Sequence, residues 1–193
     1  MDEIRHNDVE YWNDFLQGDE IAFGKIYRRF YSSLYAYGIR MVGNRELVID
    51  TIQDLFVKLI LNCKNLHPTD NPEAYLLCAF RNKLLDSIQS SRRMEMIEEY
   101  QDFFSLNEEV INSLFAKDDT DVINEKRLAA AIASLSTRQR EILYLYYIRE
   151  LSYKEITVIL EMNLQSCRNL LSRTLVHLRE YFFSGDDKKE NLI

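Results

Sequence analysis

Hydrophobic residues recur every three or four positions along most of this 193-residue chain, a spacing that is typical of amphipathic helices. Glycine (5) and proline (2) are scarce, so there are few breakers for a turn-rich β fold. The pattern therefore predicts an all-α protein. The predicted helices cover residues 8–17, 19–43, 45–62, 72–91, 122–135 and 136–149, and two more lie within 151–179.

Residues 151–179 predict two helices joined by a tight turn. Ser152, with Glu155 three residues later, forms a capping box for the first helix, and Asn163 is an N-cap for the second. In the second helix, a buried stripe at i, i+4, i+7 and i+11 is formed by Cys167, Leu171, Thr174 and Leu178. Polar residues fall mostly on the other side, namely Gln165, Arg168, Asn169, Ser172 and Arg173. This layout is typical of a helix-turn-helix, whose second helix enters the major groove, and a hairpin inside a helical bundle is the alternative.

The net charge of −7 is distributed unevenly along the chain. Residues 95–125 hold ten acidic residues and one basic residue, whereas 1–94 carry a net charge of −1 and 126–193 a net charge of +3. Such an acidic block is often a solvated connector between domains. The charge pattern therefore predicts two small helical domains, 8–94 and 126–182, joined by an acidic linker over 95–125.

No constellation of residues indicates catalysis. The three cysteines are far apart and odd in number, which argues against disulfides and a zinc site, and the three histidines are dispersed. Nucleotide-binding loops and hydrolase motifs are absent. We therefore expect a binding protein without cofactor or metal rather than an enzyme. Without a signal peptide or a run of 18 apolar residues, we expect it to be cytoplasmic.

The predicted helix 45–62 contains the run DTIQDLF at residues 50–56. This run resembles region 2.2 of the sigma-70 family of RNA polymerase sigma factors, in the extracytoplasmic function (ECF) group. In that family the helix binds the coiled coil of the polymerase β′ subunit. The resemblance implies a polymerase-binding surface that consists of Asp50, Gln53, Asp54, Phe56 and Lys58.

The following helix contains NPEAYL at 71–76, RNKLLD at 81–86 and RR at 92–93. These motifs resemble regions 2.3 and 2.4 of the same family, which melt the −10 element and hold an unstacked base of the non-template strand. The resemblance makes 62–71 the candidate base-capture loop. It implies −10 contacts by Arg81, Asn82, Lys83, Asp86, Arg92 and Arg93.

Two further motifs, LSTRQREIL at 135–143 and LSYKEI at 151–156, resemble region 4, which reads the −35 element. The chain departs from the family pattern with Thr157 in place of alanine, Glu161 in place of the turn glycine, and Leu170 in place of a basic residue. A non-glycine residue in a left-handed turn costs roughly 1 kcal/mol. The −35 contacts that the resemblance implies are Gln165, Ser166, Arg168, Asn169, Ser172 and Arg173.

Together these motifs imply a sigma factor that binds core polymerase and directs promoter-specific initiation. The resemblance implies core RNA polymerase, promoter DNA and an anti-sigma factor as partners, without a small-molecule substrate or membrane insertion. Two other functions stay open at this point. A stand-alone helix-turn-helix regulator would bind duplex DNA without polymerase, and a helical interaction module would have no DNA role.

Overall fold

The computed structural model describes the backbone of residues 2–95, 104–106 and 122–183. These residues contain helices and no strand, which confirms the all-α prediction. Within these described ranges, the α-helices form two compact units, four in the N-terminal unit and four that belong wholly or mainly to the C-terminal unit. Most of the predicted linker 95–125 lies outside the described residues. The helices are α1 (Asp2–Leu16), α2 (Glu20–Val42), α3 (Arg45–Leu61), α4 (Pro72–Glu95), α5 (Val122–Ala133), α6 (Thr137–Leu143), α7 (Tyr153–Ile159) and α8 (Leu164–Phe183).

Helix ends in the N-terminal unit follow from capping residues in the sequence. The Asp19 side chain accepts hydrogen bonds from the backbone of Ile21 and Ala22, and α2 ends at Gly43, whose φ of +64° suits a glycine. The Asn44 side chain accepts from the Leu47 amide at the start of α3. The predicted bounds of α2 and α3 are therefore confirmed to within a residue or two.

Gly38 allows close packing among three helices of the N-terminal unit. A Cβ at this buried position of α2 would lie 2.8 Å from Cζ of Phe80 on α4 and 2.9 Å from Cγ1 of Val48 on α3. Real side chains essentially never approach so closely, so a larger residue would push the helices apart. The relative placement of α3 and α4 therefore depends on this glycine.

The connection between α3 and α4 is fixed to α1. It begins with a short 3-10 turn at Cys63–Asn65. The indole N–H of Trp12 donates to the His67 carbonyl at 3.1 Å, and the Cys63 thiol donates to the Phe15 carbonyl at 3.2 Å. The Trp12 ring also packs edge-on against Tyr75, the two centroids being 5.1 Å apart. These contacts hold the candidate base-capture loop against the bundle.

The C-terminal unit departs from its predicted helices at one place. The sequence predicted a continuous helix from Ser136 to Arg149, and the predicted capping box of Ser136 with Gln139 is present. However, α6 ends at Leu143 and continues as a wider π-helical turn over Tyr144–Ile148, in which the Arg149 amide bonds to the Tyr144 carbonyl at 3.0 Å. Such π turns are local insertions that often occur at functional sites.

The helix-turn-helix forms as the sequence predicted. The Glu155 amide bonds to the Ser152 hydroxyl at 3.4 Å, and the Ser166 amide bonds to the Asn163 side chain at 2.7 Å, so both helices have their expected caps. The turn residue Glu161 has a φ of +49°, which is the left-handed conformation inferred from its position. The predicted stripe is buried throughout: Cys167, Leu171, Thr174 and Leu178.

Candidate polymerase and DNA interfaces

The outward face of α8 contains every residue that the resemblance assigns to the −35 element. Gln165 donates to Asn169 through their side-chain amides at 2.9 Å, so these two groups are already paired along the helix. On the opposite face, the buried Thr174 hydroxyl is satisfied by the Leu170 carbonyl at 2.8 Å. Exposed together on the outward face are Gln165, Ser166, Arg168, Asn169, Ser172 and Arg173.

An aromatic group lies beside this face. The Arg168 guanidinium carbon lies 5.8 Å from the ring centroid of Tyr153 on α7, within the range of a cation–π contact. The Tyr153 ring packs in turn on Tyr146 of the π turn, with centroids 5.2 Å apart. Burial, followed by a side-chain hydrogen bond with Tyr146, raises the pKa of Tyr153, so its phenol is neutral at physiological pH. Sequence reasoning did not identify Tyr146 or Tyr153 as site residues.

Four of the five residues assigned to polymerase binding are exposed on α3. Asp50, Gln53, Asp54 and Lys58 all point to solvent, whereas Phe56 is only 3% exposed. The Phe56 ring packs edge-on against Tyr27 on α2 at 4.8 Å between centroids. Its assignment to a docking surface is therefore corrected: Phe56 is a core residue that holds α3 on α2.

Three apolar residues extend the exposed face of α3 and were missed by sequence reasoning. Val57 is 54% exposed, Ile60 is 51% exposed and Leu61 is 78% exposed. They follow Gln53 at i+4, i+7 and i+8, so they lie with it on one stripe of the helix. The signal was present in the sequence as this spacing, but exposure of an apolar residue is visible only once the helix is packed.

Three of the residues assigned to the −10 element line a cleft of about 710 Å³ between α3 and α4. They are Asn82, Lys83 and Asp86, and the start of the connecting loop lines the cleft as well through Asn62 and Leu66. Arg81 is half-buried on α4 and is not among the lining residues. The side chains of Arg92 and Arg93 lie outside the described part of the chain.

Tyr75 gives the cleft an aromatic wall. Burial, with a smaller contribution from Cys78, raises the pKa of Tyr75, so its hydroxyl stays protonated and can donate as well as accept a hydrogen bond. Leu55, Leu59 and Ala79 add apolar surface. A cleft with one aromatic wall, amides and an ammonium can receive a planar polar group.

An ion pair joins the predicted polymerase surface to the predicted −10 surface. Nζ of Lys83 on α4 lies 3.0 Å from Oδ2 of Asp54 on α3. Lys58 of α3 also lines the cleft. The structure therefore places these two predicted surfaces side by side on the N-terminal unit.

Within the described ranges, no group of three or more metal-ligating side chains comes together. None of the described helices is long and apolar enough to cross a membrane. The features that stand out are thus the α8 face, the α3 stripe and the α3–α4 cleft. The helix-turn-helix with an exposed polar face on its second helix is typical of DNA-binding transcription proteins.

Comparison with known families agrees with this class. The family model for sigma-70 region 2 matches residues 26–94, and the model for sigma-70 region 4 matches residues 125–178. The chain belongs to the sigma-70 family of RNA polymerase sigma factors, in its ECF group. The family models place the α3–α4 cleft in region 2 and the helix-turn-helix in region 4.

Several characterised proteins are similar over most of the chain. The ECF sigma factor SigM of Bacillus subtilis (strain 168) is 22% identical over 171 residues, which are 86% of this chain and 98% of SigM. SigK of Mycobacterium sp. (strain KMS) is 24% identical over 155 residues, 78% of each chain.

Two solved structures share the fold. The sigma factor RpoE, in complex with the anti-sigma factor NepR from Bartonella quintana, is 18% identical with a TM-score of 0.57, covering 82% of this chain and 95% of RpoE. CnrH, in complex with the cytosolic domain of CnrY, is 19% identical with a TM-score of 0.57, covering 90% and 95%. At these identities the likeness establishes the fold alone.

Proposed function

We propose that this sigma factor reads a −35 element with α8 and a −10 element with the α3–α4 cleft while it is bound to core RNA polymerase. The observation that carries the proposal is the division of α8 into a buried stripe and an exposed polar face. The second helix of a helix-turn-helix presents such a face to base edges in the major groove. The protein acts by binding rather than by catalysis, in the cytoplasm.

The cleft supports the assignment of −10 recognition to the N-terminal unit. Capture of an unstacked base requires a polar pocket on a rigid element, together with cations for the phosphates. Tyr75 and Asn82 supply stacking and hydrogen-bonding groups, and Lys83 supplies the charge. The indole N–H of Trp12 donates to the His67 carbonyl and so fixes the connecting loop, and we infer that the pocket is formed before DNA arrives.

The α3 stripe supports the assignment of polymerase binding to the same unit. The acidic residues Asp50 and Asp54 are exposed beside the stripe near the start of α3, and the exposed Val57 and Leu61 lie nearer its end. Protein interfaces commonly combine an apolar centre with a polar rim. The apolar end also suits an anti-sigma factor of the kind bound to RpoE, and we infer that such a partner covers this surface in the resting cell.

The proposal is tested with purified core polymerase of the same host. We expect the chain to co-purify with core and to direct run-off transcription from a promoter with both elements. We expect Arg168→Ala to weaken promoter binding by about 1–3 kcal/mol, because a good bidentate base contact contributes that much. Binding of the holoenzyme to promoters with single substitutions in the −35 element measures the effect.

The matched control is Arg179→Ala. Arg179 is exposed on the same helix about 16 Å further along. Its substitution removes the same charge at a position beyond the residues assigned to the −35 element. We expect a small loss that is equal for all promoter variants. If Arg168→Ala and wild type respond identically to every −35 substitution, Arg168 does not read a base. Duplex binding without any affinity for core polymerase would favour the stand-alone regulator instead.

A further inference from the structure

The ring of Tyr153 is placed to hold the side chain of Arg168. The two residues belong to different helices of the helix-turn-helix, Tyr153 to the first turn of α7 and Arg168 to the second turn of α8. The guanidinium lies over the ring at 5.8 Å, and such contacts extend to about 6 Å. Tyr153 is half-buried whereas Arg168 is exposed, so the ring is the fixed partner of this pair.

The ring of Tyr153 packs against the π-helical turn. Tyr146 packs on Tyr153 at a tilt of 35°, and Tyr147 packs edge-on against Tyr146 at 4.9 Å between centroids and an angle of 81°. The edge-on arrangement is a favourable geometry for an aromatic pair. The three aromatic side chains thus form one cluster, in which Tyr153 faces Arg168.

A fixed ring matters because an arginine side chain that is free to rotate loses conformational entropy when it binds. An arginine side chain has many rotamers, and part of this conformational entropy is lost whenever it binds a base. Contact with an aromatic face restricts the guanidinium before DNA binds, which lowers that loss. The neighbouring Gln165 and Asn169 side chains are restricted in a different way, since they bond to one another.

We propose that Tyr153 is a positioning residue: its aromatic face holds the guanidinium of Arg168 in the orientation that enters the major groove. The proposal rests on the proposed role of Arg168 at the −35 element. The raised pKa of Tyr153 agrees with it, because a neutral phenol attracts the cation through the ring face rather than through a phenolate charge. Tyr153 itself need not touch a base.

The test compares Tyr153→Phe, which keeps the ring, with Tyr153→Leu, which removes it. The readout is the affinity of the reconstituted holoenzyme for a promoter with an intact −35 element. We expect Tyr153→Leu to lower the affinity about two- to five-fold, as for the loss of an exposed cation–π contact. Tyr153→Phe keeps the ring, so its affinity should stay close to that of the wild type. Each variant is combined with Arg168→Ala, and in that background Tyr153→Leu is expected to have no further effect.

Three outcomes would overturn the proposal. Equal losses for Tyr153→Phe and Tyr153→Leu would show that the hydroxyl acts, not the ring. An undiminished loss from Tyr153→Leu in the Arg168→Ala background would show that Tyr153 acts independently of Arg168. An unchanged affinity for Tyr153→Leu, with Arg168→Ala still defective, would show that Arg168 needs no support.

Two controls separate this proposal from simpler explanations. If Arg168→Ala alone has no effect, the proposed role of Arg168 fails, whatever Tyr153 does. Urea unfolding of Tyr153→Leu and Tyr153→Phe then distinguishes positioning from stability. A loss of promoter affinity that disappears when both variants are compared at equal folded fractions overturns the positioning role.

Discussion

The two units build their candidate surfaces in different ways. In the C-terminal unit, the residues assigned to the −35 element all belong to one helix, α8, and are exposed on one face of it. In the N-terminal unit, the candidate −10 site is a cleft whose lining comes from α3, α4 and the loop between them. A surface on one helix depends on that helix being capped and packed, whereas a cleft depends on the distance between two helices.

This difference decides what a mutation can do. A change in the core of the N-terminal unit alters the separation of α3 and α4 and therefore the cleft itself. A change in the turn before α8 alters how firmly one helix is held but leaves the order of residues along its face intact. Substitutions in each unit can test this contrast.

Gly38→Ala should destabilise the N-terminal unit by about 1–3 kcal/mol, because its new Cβ would overlap Phe80 and Val48. The chain contains one tryptophan, Trp12, which is fully buried in this unit, so urea unfolding followed by Trp12 fluorescence reports it directly. We also expect weaker binding of single-stranded −10 DNA, since the cleft lies between the displaced helices.

Gly24→Ala is the matched control for this change. Gly24 lies on the same helix, and an added Cβ would meet only the Arg28 side chain at 3.8 Å among its near neighbours. There the substitution should be neutral or stabilising by up to about 1 kcal/mol, because alanine favours helix. Equal effects at both positions would show that helix propensity, rather than close packing, governs Gly38.

The turn before α8 should respond more mildly. Glu161 has a φ of +49°, so Glu161→Gly should be more stable than Glu161→Ala by about 0.5–1 kcal/mol once the entropy of glycine is subtracted. Both variants lose the carboxylate, so their difference isolates the backbone cost. Urea unfolding followed by circular dichroism gives the free energy of unfolding of each variant. Equal values would show that the left-handed backbone at residue 161 is not strained.

The smallest effect is expected at the ion pair beside the cleft. Asp54→Asn should free Lys83 and raise the affinity of the isolated protein for single-stranded −10 DNA about 1.5- to 5-fold at low salt, as exposed pairs contribute little. Fluorescence anisotropy of labelled DNA measures it. Asp50→Asn, one turn earlier on the exposed face, removes the same charge, and an equal gain there would mean that only net charge matters.

The sequence was most informative where one helix carries the whole pattern. Periodicity sufficed for the buried stripe of α8, and family spacing sufficed for Glu161 in the turn. Phe56 was misassigned because a motif gives identity and order but not which face of α3 packs on α2. The π turn and the packing of Tyr146 on Tyr153 could not be predicted, because both depend on how α6 and α7 meet rather than on either helix alone.

The π-helical turn also constrains how this protein can be recombined with its relatives. A π turn closes its hydrogen bonds over one more residue than an α turn, so Tyr144–Ile148 absorbs an extra residue locally. In an α-helix, the same residue would rotate everything after it by about 100°. A chimera that exchanges the recognition helix α8 should therefore have its junction after Ile148, so that the π turn stays with α6, the helix that it continues.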